Sequence, residues 1–126
     1  MSDTFWIRLF LIAGLYNLLA GLPLLIDPSI LAWASGFKLP TGDWLFLRMT
    51  GAFVTVFAIG YFMVSSDLVR HRSIVVLGVI GKLAAFALLT IYLINGAIPF
   101  RAFLIGVGDL IFALFFIRYL QTFAAR

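Results

Sequence analysis

"IVVLGVIGKLAAFALLTIYLINGAIPFRAFLIGVGDLIFALFFI", residues 74–117, decides the fold. It holds two apolar runs, 74–94 and 98–117, joined through Asn95 and Gly96, and each run carries one charge in mid-course, Lys82 and Asp109. A run of ~20 apolar residues matches the hydrocarbon thickness of a bilayer when coiled as a helix. Asn-Gly ends a helix readily and proline opens one, so Asn95-Gly96 and Pro99 mark the turn of a hairpin. The turn centres near residues 96 and 97. Lys82 lies about 14 residues before it and Asp109 about 12 after, so at ~1.5 Å of rise per residue their heights differ by only ~3 Å. The two charges are therefore expected to meet. A charge at the bilayer centre costs on the order of 2.5–3.5 kcal/mol even on the lenient insertion scale, and mutual neutralisation is the simplest compensation.

Outward from this hairpin the rest of the chain reads alike. Of 126 residues 64% are hydrophobic, with a mean hydropathy of +1.17, whereas soluble domains hold roughly 45–50% apolar residues. Further long apolar stretches lie at about 5–26 and 44–64. The predicted fold is all-α: a single transmembrane domain over 1–126, an up-down four-helix bundle with helices at about 5–26, 44–64, 74–94 and 98–120. The first stretch is too long for the h-region of a signal peptide and lacks a small-x-small cleavage site, so it is expected to stay.

Only the first connection, "IDPSILAWASGFKLPTGDW" (residues 26–44), has room for structure of its own. Asp27 can cap, Pro28 suits a first helical position and Gly36 suits the exit, which predicts a short helix of about two turns. Ile30, Leu31, Trp33 and Ala34 suit it to the membrane surface. Ser73 is the expected cap of the third long helix.

The formal net charge is +4, and the cations sort by side. Arg8, Arg70, Arg72, Arg118 and Arg126 fall on one face of the bundle, Lys38 and Arg101 on the other. The positive-inside rule then places both termini in the cytoplasm. Trp6 is expected at the inner interface, Trp33 and Trp44 at the outer one, where indole rings prefer to sit. The positive charge thus speaks of membrane orientation and contact with anionic lipid, not of nucleic acid.

Each long helix carries one strongly polar residue on a face of small ones: Gly14, Asn17, Gly21; Arg48, Gly51, Thr55; Gly78, Lys82, Ala85; Gly106, Asp109, Ala113. Spacings of three and four keep each trio on one side of its helix, and small residues let helices approach closely in lipid. Asn17, Arg48, Lys82 and Asp109 are therefore predicted to face one another inside the bundle. Tyr16 lies deep beside Asn17 on an adjacent face, and Arg48 enters from the outer side with a side chain long enough to reach down toward Asp109 or Asn17. Two readings stay open. The Lys82/Asp109 pair is a structural register pin, or two cations facing one carboxylate leave surplus positive charge that awaits an anionic headgroup, a carboxylate or a quinone-like oxygen.

Other chemistry is excluded by what is missing. There is no cysteine for disulfides or thiolate sites and no glutamate for paired-carboxylate or di-iron sets. His71 stands alone, without partners for a metal, and the glycines lie within apolar helices rather than in a phosphate-binding loop. No cofactor, metal or catalytic set is expected.

With "AGLYNLLAGLPLLIDP" (13–28) closing the first helix and "RMTGAFVTVFAIGYF" (48–62) in the second, the chain resembles the small bacterial four-helix membrane proteins of the DoxX-like type. That resemblance implies a place in the bacterial inner (cytoplasmic) membrane and an accessory or ligand-holding role near respiratory or redox enzymes. It carries over no catalytic residue. The expected function is a non-enzymatic membrane protein that holds a small lipid, quinone-like or anionic ligand, or serves a larger membrane complex. The alternative is an oligomeric proton- or ion-coupled transporter or channel using Asp109 and Lys82.

Overall fold

The computed structural model describes residues 2–124. Five helices follow one another: α1 (Asp3–Ile26), α2 (Pro28–Ser35), α3 (Leu45–Ser66), α4 (Arg72–Ile94) and α5 (Phe100–Phe123). All but α2 are long and apolar enough to cross a membrane.

Local signals place the breaks. Ser2 caps α1 by accepting from the Phe5 N–H. Asp27 leaves the helical conformation (φ −152°) and its carboxylate accepts from both the Ser29 N–H and the Ser29 hydroxyl, with Pro28 at the first helical turn of α2. These bonds favour the charged form and hold the Asp27 carboxyl below its ordinary range. Gly36 ends α2 in the left-handed region at φ 81°, which only glycine enters without strain. The Asp67 carboxylate turns the chain between α3 and α4 by accepting from the Val69 and Arg70 N–H groups, which also lowers its pKa. One capping expectation fails: α4 begins at Arg72, so Ser73 lies inside it, and His71 at the cap position makes no side-chain cap bond. The Asp67 turn already directs the backbone into the helix, leaving Ser73 no role at its start.

The helices associate as two tight pairs, α1 with α3 and α4 with α5. In the first pair the backbones nearly touch. A Cβ on Gly51 would run into the Leu25 backbone, and one on Gly21 would lie 2.6 Å from the Thr55 hydroxyl. Contacts Gly14–Phe62, Gly21–Thr55 and Gly51–Leu25 fall in reverse order along the two helices, so the pair is antiparallel. Lys82–Asp109 and Phe86–Phe103 set α4 and α5 antiparallel in the same way.

What joins the pairs is a cluster of rings at one end. Trp6, Phe10, Tyr61, Phe116, Tyr119 and Phe123 are buried there with Val64, Leu68 and Val75. Phe10 stacks on Phe116 at 5.0 Å and meets Tyr119 edge-on at 5.0 Å, both favourable aromatic geometries. The Tyr119 hydroxyl donates to the Leu68 carbonyl. Trp6 is 1% exposed in this cluster, wedged between Phe5 and Tyr119. Its buried indole N–H finds no acceptor among the described residues. Trp33, by contrast, is 83% exposed on α2. Toward the α2 end the contact is of another kind: Gly36 lies against Pro99 and Arg101 at the start of α5.

Candidate functional site

Three of the polar residues singled out from the sequence meet midway along the bundle. Lys82 Nζ donates to Asp109 Oδ1 at 2.9 Å and to Asn17 Oδ1 at 3.0 Å, so one ammonium ties α1, α4 and α5 together. The Asn17 amide in turn donates to the Val54 carbonyl at 3.2 Å, extending the link to α3. Lys82 is 5% exposed and the Asp109 side chain 14%. The similar depth of the two charges along the hairpin is what allows this, and small neighbours make room. A Cβ on Gly78 would lie 2.8 Å from the Tyr61 hydroxyl.

Aromatic rings line the ammonium. Its Nζ lies 5.1 Å from the Tyr16 ring, 5.3 Å from Phe112 and 5.5 Å from Tyr61. Each lies within cation–π range, where a desolvated cation gains roughly 1–2 kcal/mol per ring. Tyr16 also closes one side of the bundle: its hydroxyl donates to the Ile105 carbonyl at 2.5 Å and its ring covers Gly108, where a Cβ would collide with it.

Arg48 stands apart and corrects the predicted set. Its Nε donates to the Leu25 carbonyl at 3.0 Å and its Nη2 to the Ile26 carbonyl at 2.7 Å, so the guanidinium caps the end of α1 and stays exposed. The last carbonyls of a helix have no partner within it and carry the negative end of the macrodipole. The close crossing at Gly51 brings Arg48 level with those carbonyls, and a nearby unsatisfied acceptor outcompetes a distant one. The surplus positive charge inferred from two cations facing one carboxylate therefore vanishes. Lys82 and Asp109 balance each other, and with or without transfer of a proton between them the pair is neutral.

The network is open on one side. Between α3 and α4 runs a groove of about 260 Å³, with Phe53, Val54, Phe57 and Tyr61 on the α3 wall and Gly78 and Gly81 on the α4 wall. Asn17 and Lys82 form its floor, and Thr50 marks its far end. Pattern reading missed Tyr61 and Phe112, because an aromatic residue in an apolar helix looks the same whether it faces lipid or a cation. Their spacing to the small-residue faces is the one signal that was present: Tyr61 follows Ala58 and Phe112 follows Asp109 by three. Among the described residues no group of His, Cys, Asp or Glu could hold a metal ion. Compared with family models, curated proteins and solved structures, the chain matches none.

Proposed function

We propose that the chain is a multi-pass protein of the bacterial inner membrane, an up-down bundle with both termini cytoplasmic, that holds a small amphipathic ligand without transforming it. Four apolar spans support the membrane setting, as do the large side chains left uncovered around them, among them Leu19, Phe46, Phe53 and Ile94. The single observation that carries the ligand reading is that Lys82 and Asn17 of the buried polar network form the floor of an open, largely apolar groove. A purely structural pair gains nothing from such access. A binding site needs it: an apolar cavity with a few convergent polar groups is the usual form of a small-molecule site. A role beside a membrane redox complex, in line with the DoxX-like resemblance, is compatible with this reading.

Native mass spectrometry of protein released in mild detergent tests it. One small adduct per chain is expected. Gly81→Leu should remove it, since a Cβ at Gly81 meets nothing within 4 Å and the larger side chain fills the groove. Full retention of the adduct in that variant, with the fold intact, would defeat the proposal.

A further inference from the structure

We infer that the groove takes a single-chain lipid whose head is uncharged and bears a hydrogen-bond acceptor, such as an ester or amide carbonyl, entering sideways from the bilayer between α3 and α4. The inference rests on the ligand-holding reading above and specifies its occupant.

Shape argues for a chain. On α3 the lining residues run from Thr50 to Tyr61 in one strip, which at ~1.5 Å per residue is about 16 Å of helix. A volume of about 260 Å³ spread over that length makes the groove long and shallow, suited to an alkyl tail rather than a bulky compact ligand. Phe53 on its wall is 63% exposed, so the groove opens past an apolar side chain and a tail can slide in there without crossing a charge. The α1–α5 side offers no such entry, because Tyr16 seals it against Ile105 and Gly108.

Charge argues for a neutral head. An ammonium has three N–H groups, and Lys82 spends two, on Asn17 and Asp109. The third is left for an acceptor in the groove, whose floor Lys82 forms. Asp109 already neutralises that ammonium, and Arg48 is engaged at the end of α1. An anionic head would bring a second negative charge beside Asp109 into low dielectric with no cation to match it. A carbonyl oxygen accepts the same N–H without that penalty.

Titration of the purified protein with monooleoylglycerol and with oleate, read by native mass spectrometry, separates the possibilities. Monooleoylglycerol should bind one per chain at least about tenfold tighter than oleate, and Gly81→Leu should abolish binding of both. Asp109→Asn, which leaves the ammonium unbalanced, should reverse the preference toward oleate. Oleate binding the unaltered protein as tightly as the glyceride overturns the inference. If neither probe binds while Gly81→Leu still strips the native adduct, the lipid class is wrong and the groove reading stands. If the native adduct also survives Gly81→Leu, the groove reading falls with it.

Discussion

The two ends of the bundle are built from equally apolar helices and yet pack in opposite ways. At the end holding Trp6 and Tyr119, rings from α1, α3 and α5 interlock and the helix pairs are joined. Toward α2, glycines draw α1 to α3 and Gly106 draws α5 to α4, but only within each pair, so the space between α3 and α4 stays open. Hydrophobicity cannot choose between these outcomes in a bilayer, since lipid tails are as apolar as leucine. Shape does. Small residues create close pairs, large rings bridge between pairs, and a groove remains between α3 and α4, where Gly78 and Gly81 present no side chain to Phe53 and Phe57. The polar network lies at the boundary of the two regimes.

Cutting that boundary should have the largest effect. Lys82→Ala leaves Asp109 buried without its cation and should cost about 3–5 kcal/mol, read as a loss of thermal stability in detergent. Lys82→Met combined with Asp109→Leu should recover most of it, because the uncompensated charge is gone. The joined end should be next. Phe116→Ala removes a fully buried ring and is expected to cost about 2–4 kcal/mol in the same assay. Phe53→Ala, at a residue 63% exposed beside the groove, should stay within about 0.5 kcal/mol. Equal losses at the two phenylalanines would erase the contrast between the ends.

Arg48→Ala is expected to cost about 1 kcal/mol, the scale of a helix-end interaction, while leaving ligand retention unchanged. Loss of the ligand in this variant would return Arg48 to the polar network. The smallest effect should come from Asp67 in the turn between α3 and α4. Its folded pKa lies below the ordinary 3.8, so its stabilising bonds are fully present above that value and lost as pH falls through the folded pKa. Asp67→Asn should therefore lower the melting temperature slightly at neutral pH, and the difference should shrink toward zero in acid.

Much of the site was legible along the chain because depth in a hairpin follows from counting residues. Lys82 and Asp109 lie at similar distances from the Asn95-Gly96 turn, and a regular rise per residue converts that into similar height. Asn17 was legible for a related reason, as the one amide on a small-residue face of α1. Arg48 was misplaced because its reach permits several partners, and residue spacing does not reveal which carbonyls a neighbouring helix leaves unsatisfied at its end. The enclosure of Trp6 was not legible, because the preference of tryptophan for interfaces says nothing of whether rings on other helices will surround it.

Composition and the placement of Gly, Pro and Asn were enough to determine four long apolar helices, a short one between the first two, and a lysine and an aspartate of similar depth. These follow from local rules of helix length, capping and rise, which need no knowledge of neighbours. How closely the paired helices approach, where the groove opens, that Arg48 serves α1 and that Tyr16, Tyr61 and Phe112 surround the ammonium were decided only in three dimensions. Each of these depends on the fit of side chains from separate helices, and fit is a property of surfaces brought together rather than of any one of them.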